Sequence, residues 1–351
     1  MSVVVRCYNE RDHIGRLLYG VEQQSRDDVE VVLVDSGSTD GTLEIAAEYG
    51  VEEVVHLPPE EFSYGRGLNE GCRAASGDVC VFASAHVYPR RRDWLDRLVE
   101  PLGGDVALTY GRQRGGGESS YPERRVFRQW FPETNTGTQR SPFCNNANAA
   151  VRRSVWESLP YDEELPALED IDWARRARKR GYTVTYVAEA VVEHVHDETP
   201  HEVYERYRRE AVALASLFPG LRLGIGGCLR TAVANVVRDY RAAHADGVLW
   251  ENLGTVPQFR LAQFLGVYRG FATTPPVAKR VRERLYGPDV SESRADTGVT
   301  PANDSSPRTE NNLPSRTADD TGEQRSGENQ TDDGLAIDYG SHSKYVPNDI
   351  L

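Results

Sequence analysis

The sequence predicts an α/β fold: a mostly parallel sheet with helices on both faces, then a helical C-terminal region and a disordered tail. Three observations predict it. Over the first hundred residues, short apolar runs alternate with segments whose apolar positions recur at helical spacing. A βαβαβ order of that kind closes into a parallel sheet through crossover helices. The run at residues 29–34 is nearly continuously apolar, as expected of a strand buried on both faces. Near residue 290 the composition changes abruptly to Ser, Thr, Asn, Asp and Gly.

In order, residues 3–6 read as a short strand and 14–23 as a helix. Residues 29–34 form the second strand, 43–49 a helix, 53–56 a third strand and 68–75 a helix. Residues 78–83 are the strand that delivers His86 just past its carboxyl end, the place where ligands of open α/β sheets bind. Residues 105–165 are less regular, with Gly115, Gly116 and Gly117 marking a flexible loop. Regular structure resumes at 149–158. Residues 169–180 read as a helix with acids at its start and bases at its end, which suits the helix dipole. Residues 201–285 are mainly helical by pattern. From Ser291 onward there are twelve acids and five bases with few apolar side chains, the signature of disorder.

The net charge of -13 argues against nucleic acid as a partner. Thirty-eight arginines stand against three lysines (Lys179, Lys279 and Lys344), and this acidic, lysine-poor composition points to a halophilic source. Five cysteines without a CxxC pair fit a reducing cytoplasm. No signal peptide is read at the N-terminus, and no apolar run reaches the ~18 residues of a membrane span.

Two acids follow the second strand. Asp40, with Ser38, Thr39 and Gly41, reads as turn and cap chemistry. Asp35 ends a buried apolar strand, where a carboxylate needs a partner; in an open α/β sheet it can accept hydrogen bonds from a ribose or base.

Taken together, "VVVRCYNE", "VVLVDSGSTDGT", "GDVCVFASAHVYP", "LEDIDWARRARKRGY" and "VVEHVH" resemble family 2 glycosyltransferases of the Rossmann-like GT-A fold. "CNNANAAVRRSVWESLPYDEELPALEDIDWARR" is similar to the rhamnosyltransferase-like branch. The resemblance covers about residues 1–275. It implies a GT-A domain over residues 1–200, with the helical region 201–286 packed on it and the acidic tail at 287–351. It also implies an inverting transfer of a sugar from a nucleotide-diphosphate donor to a hydroxyl of a growing, lipid-linked or free, cell-surface glycan. In that reading Arg6, Tyr8, Glu10, Asp35, Arg66 and Ser84 hold the donor, and Asn145, Asn148 and Glu169 face the sugar or acceptor. Asp170, the acid of the "ED" pair, is the catalytic base.

One departure stands out. The family ends the strand before His86 in Asp-x-Asp, whose last carboxylate helps hold a divalent metal, Mn²⁺ or Mg²⁺. This chain has Ser84-Ala85-His86. Imidazole suits Mn²⁺ and softer ions better than Mg²⁺. His194 and His196, two apart on an expected strand, face one side and join His86 as candidate ligands. The loss of both acids also leaves open a nonenzymatic nucleotide-sugar-binding or scaffold protein. The stretch "LRLGIGGCLRTAVANVV" either packs on the catalytic domain, the simpler reading, or rests peripherally on the cytoplasmic face of a membrane.

Overall fold

The computed structural model describes residues 1–273, apart from 52, 136–140, 220 and 222, together with Ile337. The expected disordered tail at 287–351 otherwise lies outside the described residues.

The first half alternates as the apolar pattern requires: β1 (Ser2–Cys7), α1 (Arg11–Glu22), β2 (Glu30–Asp35), α2 (Thr42–Glu48), β3 (Glu53–His56), α3 (Tyr64–Ala74) and β4 (Val79–Ser84). Next come β5 (Val87–Pro89), α4 (Trp94–Val99), β6 (Val106–Gly115), α5 (Tyr121–Trp130), β7 (Asn148–Arg152), α6 (Arg153–Ser158), α7 (Glu169–Lys179) and β8 (Thr183–His194). Three helices follow, α8 (Pro200–Leu217), α9 (Ile225–Ala245) and α10 (Thr255–Ala272).

Among the described residues, eight strands form one sheet in the order β3-β2-β1-β4-β7-β6-β8-β5. The strands β3, β2, β1 and β4 run parallel. Beyond them the sheet is mixed: β7 is antiparallel to both β4 and β6, β8 is parallel to β6, and β5 is antiparallel to β8. Side chains alternate across the sheet, so on β4 Cys80 and Phe82 enter the core on one face and Val81 and Ala83 the core on the other. Register fixes what meets at the rim. Arg6 stands beside Ser84 at the carboxyl ends of β1 and β4, and Val87 stands opposite His194.

The stretch read as irregular contains a ten-residue strand, β6. Its inward positions include the polar Thr109 and Gln113, both buried, which hides it from an apolar-pattern search. Of the three glycines there, Gly115 and Gly116 are packed, while a Cβ at Gly117 would meet nothing within 4 Å. A Cβ at Gly115 would sit 2.8 Å from Cγ of Arg124, and one at Gly116 would sit 2.9 Å from Oε1 of Glu193.

Gly270 brings the backbone of α10 onto α8, since a Cβ there would lie 2.5 Å from the Arg208 carbonyl. A buried ion pair, Arg260 Nε to Asp239 Oδ2 at 2.7 Å, ties α10 to α9. No helix of the described residues is long and apolar enough to cross a membrane. All five cysteines are buried and free.

Candidate active site

A cleft of about 430 Å³ opens at the carboxyl ends of β1 and β4. Arg6, Glu10, Ser84, His86, Asn145, Glu169, Asp170, His194 and His196 all line it. A second hollow of about 440 Å³ shares Arg6, Glu10, Ser84 and His86 and runs on to Tyr8, Pro59, Phe62 and Tyr64. Tyr8 is 56% exposed there, an open aromatic wall of the size a nucleobase covers.

On one side of the cleft lies the acidic pair at the start of α7. Leu168, just before it, has φ 60°, a left-handed conformation that is strained for a branched side chain and recurs at functional sites. Arg6 reaches Glu169 at 3.5 Å, donates to the Tyr64 carbonyl at 3.2 Å, and lies over the Tyr64 ring. Asn146 donates to the same Glu169 oxygen at 3.4 Å. Asp170 is 8% exposed and accepts from the Ile171 amide at 2.7 Å and from the Asn146 amide. Burial, and then the adjacent Glu169, push its carboxyl well above the usual carboxylate range.

On the other side lie three imidazoles. The His86 and His194 rings stack at 4.9 Å, and one ring nitrogen from each of His86, His194 and His196 falls within 4.8 Å of the others. Their hydrogen bonds decide which nitrogen carries a lone pair. Asn145 Oδ1 accepts from the Ala147 amide, so it is the oxygen, and the Gln113 group 2.9 Å from it must be the NH₂. Gln113 therefore turns its carbonyl oxygen to His194 Nδ1 at 2.7 Å, and that nitrogen must carry the proton. His196 Nδ1 faces the Glu123 carboxylate at 2.8 Å, and Arg206 reaches the same oxygen at 3.0 Å. His196 Nδ1 is thus a donor as well. Two Nε2 lone pairs then confront each other across 3.0 Å. His86 repeats the pattern, with Nδ1 on Glu10 Oε1 at 2.7 Å.

Burial holds the His194 and His196 imidazoles well below their ordinary range, so a proton does not settle the two lone pairs. A divalent cation would. Imidazoles bound at about 2.0–2.1 Å to one ion stand roughly 3 Å apart, and acceptors on the remote ring nitrogens are the outer shell that ligating histidines carry. The donor set therefore fits a transition-metal ion.

The structure does not bring every expected residue to the cleft. Asp35 is 2% exposed, and its carboxylate accepts from the amides of Gly37 at 3.0 Å and Ser38 at 3.1 Å. The partners that a buried carboxylate demands are supplied by its own turn and by the Cys7 thiol at 3.6 Å. Arg66 lines neither hollow and pairs with Glu61 at 2.6 Å. Asn148 is fully buried away from the cleft. It accepts from the Trp94 indole at 2.9 Å and donates to the Ala190 and Arg112 carbonyls at 2.9 and 3.2 Å. Asn148→Ala leaves these groups unsatisfied, and such a loss is expected to cost about 3 kcal/mol. Urea unfolding checks this, while the KM for donor should stay unchanged in the folded fraction.

The cleft also contains residues that the sequence reading passed over: His13, Tyr64, Asn146, Glu198, Arg206, Arg209 and Glu210. The arginines and Glu210 come from α8, where an Arg- and Glu-rich helix reads as a solvated face.

Residues 2–159 match the profile of Glycosyl transferase family 2. The O-antigen chain rhamnosyltransferase RfbN of Salmonella typhimurium is 26% identical over 223 residues, which is 59% of this chain and 70% of that protein. Glycosyltransferase AglE of Haloferax volcanii is 28% identical over 204 residues, 54% of this chain and 65% of that protein. Among solved structures, the mannosyltransferase PcManGT from Pyrobaculum calidifontis, in complex with GDP-Man and Mn²⁺, aligns with a TM-score of 0.51 at 20% identity. That alignment covers 81% of this chain and 86% of the mannosyltransferase, and it shows a shared fold. Over residues 2–159, from β1 to the end of α6, the chain therefore carries the profile of Glycosyl transferase family 2, and the matches to the relatives run longer than it.

Proposed function

We propose that this glycosyltransferase moves a sugar, with inversion, from a nucleotide-diphosphate donor to a hydroxyl of a lipid-linked cell-surface glycan. The observation that carries the reading is one cleft with Glu169-Asp170 on one wall and the three imidazoles on the other. A donor and an acceptor held between those walls meet in line, and positioning of that kind supplies much of the rate.

Asp170 takes the proton from the acceptor hydroxyl as it attacks the anomeric carbon. Its raised pKa makes it a stronger base than an ordinary aspartate once ionised. Arg6 neutralises Glu169 and keeps it from competing for the acceptor proton. Tyr8, Pro59, Phe62 and Tyr64 give the base of the nucleotide an apolar slot, and Glu10 and Ser84 stand at its inner end. Asn145 is held rigid by Gln113 and the Ala147 amide, which suits it to orient the sugar. Arg209 lines the cleft without an ion pair among the described residues and offers a cation to the leaving diphosphate. His86, His194 and His196 would hold a divalent ion, Mn²⁺ in preference to Mg²⁺. Bound there, it would supply positive charge to the departing diphosphate.

The rival reading, a nonenzymatic binding protein, draws only on the missing Asp-x-Asp acids: a buried, proton-ready acid across the cleft from three imidazoles has no use in a binding module. The relatives named for O-antigen chains support a cell-surface glycan acceptor, and AglE of Haloferax volcanii supports a salt-adapted enzyme. The test is a screen of nucleotide-diphosphate sugars with and without Mn²⁺, at low salt and in molar KCl. Release of the nucleoside diphosphate from one class of donor, dependent on metal, is expected. A folded protein that neither binds nor hydrolyses any donor would overturn the reading.

A further inference from the structure

The outward side of α9 carries an apolar row at every fourth position. Ile225, Leu229, Val233 and Val237 are 60, 59, 63 and 41% exposed. Each turn of a helix brings the fourth residue back to nearly the same side, so the four form one stripe that nothing in the described structure covers. On α10, Leu261 and Leu265 are also open, at 65 and 45%. Trp250, at the turn joining the two helices, is 81% exposed. Isolated exposed apolar residues are ordinary, but a contiguous row of this kind marks an interaction surface.

Charge says what the surface meets. The whole chain carries 54 acids in 351 residues. The 21 residues of α9 and the 18 of α10 hold one acid between them, Asp239, and it is buried against Arg260. Beside the apolar row run Arg230, Arg238 and Arg241, exposed and with no ion pair among the described residues. The face is thus apolar and cationic, on a protein whose net charge is -13.

We propose that α9 and α10 seat the enzyme on an anionic lipid surface. The aliphatic row enters the boundary between headgroups and acyl chains, as the apolar side of an interfacial helix does, and the arginines engage the lipid phosphates. Trp250 is of the residue type that settles at headgroup level. A second copy of the chain fits less well. A two-fold contact sets a patch against itself, which would bring the arginine rows together while the one acid of α9 and α10 stays buried against Arg260. The placement also suits chemistry. α10 packs on α8, and α8 lines the cleft through Arg206, Arg209 and Glu210, so the lipid surface lies one helix layer from the cleft. This deepens the proposal of a lipid-linked acceptor, but its test needs neither donor nor metal.

The test is flotation of the full-length chain with vesicles of phosphatidylcholine alone or of phosphatidylcholine mixed with phosphatidylglycerol, at low ionic strength. Wild type should float with the anionic vesicles. Replacing Leu229, Val233, Leu261 and Leu265 by serine should lower binding to both kinds at least ~10-fold, because each side chain loses its apolar insertion. Changing Arg230, Arg238 and Arg241 to glutamine should remove the preference for anionic vesicles. An arginine near such a surface is worth about fivefold in binding, so the triple change is expected to cost roughly 100-fold. Donor hydrolysis should be unchanged in both variants. Failure of the wild type to float would overturn the proposal, whether or not the enzyme turns over donor. So would a dimer in solution that the serine variant dissociates while wild type ignores vesicles, since the face would then belong to a second copy.

Discussion

Asp170→Asn is expected to keep donor affinity within about threefold of wild type and to lower turnover by roughly 10²–10⁴, the range a positioned general base supplies. Asparagine fills the same space and can still accept from the Ile171 amide, so a large loss of turnover in a folded variant reports the lost proton acceptor. The pH profile gives a second readout. Burial and Glu169 raise the Asp170 pKa, and the base works only when ionised. The acid limb of kcat/KM in wild type should therefore fall at a higher pH than an ordinary carboxylate gives. Glu169→Gln removes the neighbouring negative charge, makes Asp170 easier to ionise, and should move that limb to lower pH. Glu210 is the competitor, since it lines the same cleft and burial pushes its carboxyl up to about 7. If Asp170→Asn retains near wild-type turnover and its acid limb, and Glu210→Gln loses both, the base is Glu210 and not Asp170.

The two acids of "LEDIDW" show where sequence reading stops. Both open a helix, and the dipole accounts for either. In the structure Asp172 is 2% exposed and spends its carboxylate on Arg175 and Arg176. Asp170 faces the cleft with backbone amides, and no arginine, for its hydrogen-bond partners. That distinction depends on which side of α7 meets the core. The parallel half of the sheet was legible because its strands are apolar on both faces. β6 was not, because a strand can carry Gln113 inward when a histidine on the neighbouring strand takes its carbonyl. Asp35 finds its partners locally. The rule that a buried carboxylate needs a partner held, but the partners were amides two and three residues on. Asn145 and Asn148 look alike in "CNNANAA", and only the register of β7 against β4 and β6 sends Asn148 inward to Trp94. The three histidines could be singled out by their spacing and by the missing acids. That Glu10, Gln113 and Glu123 are their acceptors could not be read, since these arrive from the start of α1, a polar strand and an amphipathic helix.

Those acceptors set the last expected result. His86→Ala should weaken Mn²⁺ binding by at least ~100-fold, read directly from the loss of the free-ion signal in electron paramagnetic resonance as protein is added, with no turnover involved. Three neutral imidazoles carry no charge to the ion, so each contributes through its lone pair, and removing one of three leaves a site open to water. His86→Asp puts back a carboxylate. It restores a negative charge and a hard oxygen, so binding should return with the preference moved towards Mg²⁺. Gln113→Leu probes the outer shell without touching a ligand. Its carbonyl is what keeps the His194 proton on Nδ1. Without that acceptor the proton is free to occupy Nε2, and a protonated nitrogen has no lone pair to give. A loss of 10- to 100-fold in Mn²⁺ affinity is expected, the usual scale for such partners, with a fold unchanged by near-ultraviolet circular dichroism. A merely structural role for Gln113 would instead lower stability and leave the affinity of the folded fraction intact. If His86→Ala takes up Mn²⁺ as wild type does, the ring belongs to Glu10 and to the stack on His194, and the two facing Nε2 lone pairs hold the ion without it.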